Sequence, residues 1–187
     1  MNLSKSDSGY FKGTSGYLAS QKNFPNSLGN SGIIEPKEFD TREHPTKYKQ
    51  LSSKKRKELR QKLLNRTITM KEYKRLEWQR RLDRRRRAGI DSFWTREAFL
   101  IETGQPTTRN WTAEQRKDIL NNIRPKFKGQ TIFSHHKYSV AKYPHLANVG
   151  KLIYPATLKE HFERWHGKDY KKSLPGRPVN PYVKEEF

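Results

Sequence analysis

Residues 131–136 read TIFSHH and residues 157–167 read TLKEHFERWHG, and these two stretches decide how the carboxyl-terminal part of the chain folds. The first is a short β-prone run that ends in two adjacent histidines. The second begins with Thr157 and Glu160, which have the spacing of a capping box at the start of a helix. A second extended run, residues 151–154, lies between them. The local order is therefore predicted to be strand, loop, strand and helix.

Histidine is concentrated in this part of the chain, because five of the six histidines fall between residues 135 and 166. Adjacent residues at a strand end project in opposite directions, so His135 and His136 are not expected to bind one ion together. One would hold a divalent cation with help from the helix, and the other would deprotonate a water for in-line attack on a phosphate. Histidine suits the second role because its unperturbed pKa, about 6.5, lies close to working pH. His145, in the intervening loop, is interpreted as a loop residue and not as a ligand.

The net charge of the chain indicates which class of partner it binds. The 187 residues include 40 Lys and Arg against 19 Asp and Glu, which gives a formal net charge of +21. A surface this positive binds phosphate polyanions, so nucleic acid is the first partner to consider. The sequence contains no cysteine, so any metal must be held by His, Asp, Glu or Asn. The sequence holds no run of about 20 apolar residues and no secretory signal peptide, so no membrane span is expected.

Three regions are predicted along the chain. Residues 1–45 are rich in Ser, Gly, Asn and Lys and predict a flexible leader. Residues 46–125 are predicted to form a basic, mainly helical region, and residues 51–87 alone hold sixteen basic and four acidic side chains. Residues 126–187 carry the clustered histidines and end in a tail. The expected fold class is therefore α+β.

The basic region is predicted to contain four helices. Two form a hairpin over residues 53–65 and 70–87, with Gly89 as the C-cap of the second. A third covers residues 92–102, and a fourth opens after a capping box at Thr112. The arginines before Gly89 are interpreted as a surface that grips the nucleic-acid backbone without reading bases, and a solvated basic hairpin is the alternative. These arginines are Arg84, Arg85, Arg86 and Arg87.

Four motifs around the histidines form a connected set: IFSHH at 132–136, YPHLAN at 143–148, IYPAT at 153–157 and EHFERWHG at 160–167. This set resembles the HNH/endonuclease VII class of nuclease toxins. The subgroup that it resembles carries a Ser-His-His or Gly-His-His signature and is found at the carboxyl-terminal ends of bacterial polymorphic toxins. The resemblance covers about residues 109–178.

The resemblance implies a small ββα-metal (His-Me) finger, in which two strands and a helix surround a metal ion. Carried onto this chain, His135 would be a metal ligand, His136 the general base and His161 the ligand on the helix. Asn148 would brace the loop and the catalytic histidine. His166 follows His161 by five residues, and an ideal α-helix separates side chains at that spacing by about 140°. His166 could therefore ligate the same ion, contact the scissile phosphate or cap the helix end.

The resemblance implies that a site with a single ligand on the helix would take Mg²⁺, and Zn²⁺ or Mn²⁺ are the alternatives. Lys137 and Arg164 lie close to the histidines in sequence and are expected to bind flanking phosphates. A structural metal site without a catalytic role is the competing interpretation of the histidine cluster.

The sequence thus predicts a metal-dependent endonuclease that hydrolyses DNA with little sequence preference, because contacts to phosphates read no bases. The resemblance further implies a secreted effector that is carried by a larger toxin polypeptide and acts in the target-cell cytoplasm. It also implies a cognate immunity protein, which we expect to be acidic. Two alternatives stay open: an RNase toxin with the same finger, acting on tRNA or rRNA, and a nonenzymatic nucleic-acid-binding module with a structural metal.

Overall fold

The structure is a computed structural model that describes residues 39–46 and 48–187. Most of the leader predicted over residues 1–45 lies outside the described residues. The part from Phe39 to Phe187 forms one compact unit. The amide of His44 donates to the carbonyl of Lys142 over 2.8 Å, so the end of the predicted leader is attached to the loop that precedes the second histidine motif.

The predicted basic hairpin is present. Helix α1 covers Ser53–Leu64, and helix α2 covers Met70–Glu102. Thr69 and Glu72 form the predicted capping box of α2, since the hydroxyl of Thr69 accepts from the Glu72 amide and the Glu72 carboxylate accepts from the Thr69 amide. The two helices pack through a small apolar cluster of Leu51, Leu59 and Leu76.

Two of the predicted helix boundaries are wrong. Helix α2 runs for 33 residues without a break, so the helices expected over residues 70–87 and 92–102 are one helix and Gly89 is not a C-cap. A Cβ atom on Gly89 would overlap the carbonyl oxygen of Ala147 and lie 3.0 Å from the Cα of Asn148. The glycine is therefore explained by the close approach of a loop. A lone glycine in a helix costs about 1 kcal/mol, which contacts such as these can offset.

Helix α3, Ala113–Leu120, begins at the predicted capping box of Thr112 and Gln115. It packs on the carboxyl-terminal half of α2 and on the strands. Trp94, on α2, donates its indole N–H to the hydroxyl of Ser134 over 2.9 Å, which ties α2 to the strand of the histidine pair. The core at this junction consists of Phe93, Trp94, Trp111, Ile119, Ile132 and Ile153.

Four short strands form two antiparallel pairs among the described residues. Strand β1, Lys126–Phe127, pairs with β2, Gln130–Thr131. Strand β3, Phe133–His136, pairs with β4, Ile153–Ala156. In the second pair His135 lies opposite Tyr154, and His136 lies opposite Ile153. Strand β4 begins two residues later than predicted, because residues 150–152 form a 3-10 turn.

A π-helix, Glu160–Trp165, follows β4 where an α-helix was predicted. The architecture is thus a mixture of helices and small antiparallel sheets, which agrees with the α+β class. None of the helices described by the structure combines the length and the apolar character that a membrane span requires.

Candidate metal centre and its neighbouring histidine

Three of the clustered histidines converge at one place. Each of His135, His161 and His166 offers a ring nitrogen, and the three nitrogens lie within 4.8 Å of one another. The ring centres are 5.1 Å apart for His135 and His161, 5.2 Å for His135 and His166, and 4.8 Å for His161 and His166. His135 is buried, and the other two are half-buried. Such an arrangement can hold one metal ion between β3 and the helix.

The π-helix explains how His166 reaches this cluster. In an α-helix a spacing of five residues separates two side chains by about 140°. In a π-helix the hydrogen bonds join residues five apart, so His161 and the residue five positions later face nearly the same side. His166 lies directly after the last π-helical residue, Trp165. The structure therefore brings together the two histidines whose relation the sequence left open.

A buried ion pair holds the beginning of the π-helix. The two guanidinium nitrogens of Arg109 lie 2.7 and 3.0 Å from the carboxylate oxygens of Glu160, and both side chains are almost fully buried. Arg109 also donates to the carbonyl of Pro155, on β4. The Glu160 carboxylate in turn accepts from the amide of Thr157, in the capping box that the sequence predicted. The helix that carries His161 is thereby fixed to β4.

Burial by itself would raise the pKa of the Glu160 carboxyl, but the hydrogen bonds from Arg109 and two backbone amides outweigh it and hold that pKa below its ordinary value. The sequence identified Glu160 through its capping-box spacing. It contained no signal for the partner, because Arg109 lies 51 residues earlier in the chain.

The surroundings keep two members of the cluster neutral. Burial, with smaller contributions from the positive charge that the neighbours His161 and His166 can carry, lowers the pKa of His135 to about 2. Burial, with a contribution from His166, lowers the pKa of His161 to about 4. Neutral imidazole is the form that binds a metal ion, so His135 and His161 are in their ligating form at neutral pH.

His136 faces away from the cluster, as the alternation of a strand requires. Its Nε2 lies 3.1 Å from the carbonyl oxygen of Ala147. A carbonyl can only accept a hydrogen bond, so Nε2 carries the proton and Nδ1 keeps its lone pair. Burial, opposed by the hydrogen bond to Ala147 and assisted by the charge of Arg86, lowers the pKa of His136 to about 4. The imidazole is therefore neutral at pH 7, with a nitrogen that can accept a proton.

Asn148, which was expected to brace the loop and the histidine, is exposed and has a different partner. Its side-chain oxygen accepts from Arg85 over 2.9 Å, and the same guanidinium nitrogen donates to the carbonyl of His145 over 2.8 Å. The group that accepts the hydrogen bond from His136 Nε2 is instead the carbonyl of the neighbouring residue, Ala147. His145 lies in a 3-10 turn, Pro144–Leu146, and its Nε2 lies 2.7 Å from the carbonyl of Asp40. Together with Asp40 and His44 it forms a second group of side chains that could hold a metal ion.

The side chains expected to bind nucleic acid fall into two groups. Arg84 and Arg87 are exposed on α2, while Arg86 and Lys137 are half-buried. The remaining two are engaged by the protein itself. Arg85 is bound to the loop, as just described, and Arg164 donates to the carbonyls of Pro181 and Val183 in the tail over 2.8 and 2.6 Å.

Fold and site together define a small α+β protein with a histidine-rich candidate metal centre and a strongly basic surface. Residues 76–157 match the family model described as GHH signature containing HNH/Endo VII superfamily nuclease toxin. The match includes His135, His136 and Asn148, and it ends before the π-helix. This match confirms the resemblance over residues 76–157. No curated protein and no solved structure matches the chain.

Proposed function

We propose that this protein is a metal-dependent endonuclease that hydrolyses DNA with little sequence preference, and that β3, β4 and the π-helix form its ββα-metal finger. One observation carries the proposal: three imidazoles converge beside a fourth whose proton-accepting nitrogen is left free. A structural metal site would need the three imidazoles but would leave His136 without a role. The family match supports nuclease activity.

The residues fit a divalent metal ion. The donors are imidazole nitrogens on β3 and at the two ends of the π-helix, and three protein ligands leave further positions open, as in catalytic zinc sites. A set of three imidazoles suits Zn²⁺ better than Mg²⁺ or Mn²⁺, which prefer oxygen ligands. When bound, the ion supplies stabilisation of the negative charge that develops on the phosphate and on the leaving oxygen.

His136 acts as the general base in this proposal. Its Nδ1 removes a proton from a water molecule while the water oxygen attacks the phosphorus and the bond from phosphorus to the leaving oxygen breaks. The positive imidazolium that forms is stabilised by the hydrogen bond from Nε2 to the carbonyl of Ala147. The proton is returned to solvent, or to the leaving oxygen through water, so that the base is regenerated.

DNA would be bound through its phosphates. Arg84 and Arg87 are exposed on α2, close in sequence to Arg86, which lies near enough to His136 to affect its pKa. Charge of this kind binds the backbone of any sequence, which is why we propose little sequence preference. The family also supports a secreted effector on a larger carrier polypeptide, and an acidic immunity protein would complement the net charge of +21.

The test is digestion of supercoiled plasmid and, separately, of total RNA by the full chain with Zn²⁺, Mn²⁺, Mg²⁺ or EDTA. His136→Ala is the test variant, and Tyr182→Ala, which removes an almost fully exposed ring in the tail, is the control. We expect metal-dependent cleavage of plasmid that Tyr182→Ala keeps and His136→Ala loses. Cleavage of RNA alone would replace DNA by RNA as the substrate. Retardation of both nucleic acids without cleavage under every metal would contradict the proposal and favour a binding module.

A further inference from the structure

Arg85 was expected to bind nucleic acid, but its guanidinium is directed at the protein. A single nitrogen, Nη2, donates to the carbonyl of His145 over 2.8 Å and to the side-chain oxygen of Asn148 over 2.9 Å. These two acceptors flank Ala147, whose own carbonyl lies 3.1 Å from His136 Nε2. One arginine therefore holds the residues on both sides of the carbonyl that orients the histidine.

Helix α2 contacts the same loop again one turn later. Gly89 lies four residues after Arg85, on the same face of the helix. Its missing Cβ lets the backbone of Ala147 and Asn148 approach α2 closely. The side chain of Ala147 is buried with Leu82 and Val140. The position of the loop is thus set by α2, and Arg85 is the polar member of this contact.

We propose that Arg85 is a positioning residue that fixes the tautomer and ring orientation of His136 by holding the loop 145–148. Without its two hydrogen bonds, the carbonyl of Ala147 gains freedom to turn toward solvent. The imidazole then loses the acceptor that requires the proton to be on Nε2. A fraction of the molecules carries the proton on Nδ1 instead, and those molecules have no lone pair at the position of the proposed base. The effect on catalysis rests on the proposed function, whereas the effect on the tautomer does not.

The first test compares steady-state cleavage by Arg85→Gln with that by Arg81→Gln. Arg81 is an exposed residue on the same helix, so its substitution removes the same charge without touching the loop. We expect Arg85→Gln to lower kcat by about 10- to 100-fold, the usual effect of losing a group that orients a functional histidine. We expect KM to change no more than in Arg81→Gln. Equal kcat values in the two variants, or a change confined to KM, would overturn the proposal.

The second test is independent of activity and reads the imidazole directly. In the full chain labelled with ¹⁵N, the ring nitrogens of His136 should report a single neutral form with the proton on Nε2. In Arg85→Gln we expect a mixture of the two neutral tautomers, while Arg81→Gln keeps the single form. An unchanged tautomer in Arg85→Gln would contradict the proposal even if cleavage were reduced. If the native chain cleaved neither DNA nor RNA, the proposed function would fail and this measurement would still decide the role of Arg85.

Two further variants protect the tests against simple unfolding. Asn148→Ala removes one of the two acceptors and leaves α2 intact, so it should shift the tautomer in the same direction. In the double variant with Arg85→Gln, Asn148→Ala should shift the tautomer population less than it does alone, because both changes remove the same hydrogen bond. Arg85→Lys should restore part of the native tautomer, since both hydrogen bonds come from one nitrogen and an ammonium group can replace it. Fully additive shifts of the tautomer population in the double variant would show that the two residues act independently, which would contradict the proposal.

Discussion

His135 and His136 are neighbours on β3 but have different surroundings, because successive side chains of a strand point to opposite faces. His135 is directed at His161 and Trp165, with ring centres 5.1 and 4.5 Å away, while His136 meets the carbonyl of Ala147. The two imidazoles therefore differ in what their nitrogens can do. His135 joins His161 and His166 in the candidate metal cluster, whereas His136 has one nitrogen hydrogen-bonded to the carbonyl of Ala147 and one nitrogen that can accept a proton. This division follows from the register of β3 against β4.

The role of His166 can be tested by metal affinity. Removing its imidazole should leave a two-histidine site, so His166→Ala should bind Zn²⁺ at least about tenfold more weakly than the native chain. Isothermal titration calorimetry of the full chain measures this directly, with Tyr182→Ala, which removes an almost fully exposed ring, as the control. An affinity equal to that of the control would show that His166 is not a ligand.

The buried ion pair predicts a large cost when one partner is removed. Arg109→Ala leaves the carboxylate of Glu160 uncompensated in the interior, and breaking a buried pair in this way costs about 3–5 kcal/mol of unfolding free energy. The exposed pair of Arg42 and Asp40 is the matched comparison, and Arg42→Ala should lower the free energy of unfolding far less than Arg109→Ala, because solvent screens an exposed pair. Urea denaturation measures both values. Similar losses of unfolding free energy in the two variants would mean that burial does not determine how much an ion pair contributes to stability.

Among the elements, α2 has the greatest influence on the site. Its amino-terminal half forms the basic hairpin with α1, and its carboxyl-terminal half supplies Phe93 and Trp94 to the core. Between the two halves it contacts the loop that orients His136. Because a helix of 33 residues is about 50 Å long, one element connects the basic hairpin with the candidate site.

Gly89→Ala tests the contact between α2 and the loop. Helix propensity alone would make alanine more favourable by about 1 kcal/mol. The added Cβ would overlap backbone atoms of Ala147 and Asn148, and an overlap with backbone cannot be relieved by a side-chain rotation. We expect a net destabilisation of about 1–3 kcal/mol in urea denaturation and reduced cleavage. A more stable variant with native activity would show that the loop can move away freely.

At the scale of the whole molecule, the excess of basic over acidic side chains governs binding. Because bound phosphates release counterions, the affinity for duplex DNA should fall steeply as salt rises. Fluorescence anisotropy with His136→Ala, which we expect to bind without cleaving, gives the slope of log K against log salt concentration. Arg87→Gln should reduce the magnitude of that slope by about 1, uniformly across DNA sequences. A slope near zero would contradict backbone binding.

Much of the local structure could be predicted from the sequence. The capping boxes at Thr69, Thr112 and Thr157 all form, because each consists of hydrogen bonds between residues three apart. The structure also contains the predicted basic hairpin and the predicted strand of the histidine pair. Both depend mainly on residues close to one another in the chain.

The errors concern features that distant residues decide. Gly89 has the sequence pattern of a helix end, but the loop around Ala147, which lies far along the chain, makes it a packing position inside α2. Arg85 has the pattern of a phosphate-binding residue, but its acceptors lie 60 and 63 residues away. Composition and local spacing carry no information about such partners.

The sequence by itself thus determined the basic charge, the helix starts and the set of histidines, because these depend on composition and on contacts of a few residues. Only the tertiary structure decided that the π-helix brings His166 to His135, that Arg109 neutralises Glu160, and that α2 orients His136 through a loop. The physical reason is that these arrangements depend on burial and on hydrogen bonds between segments that become neighbours only after folding.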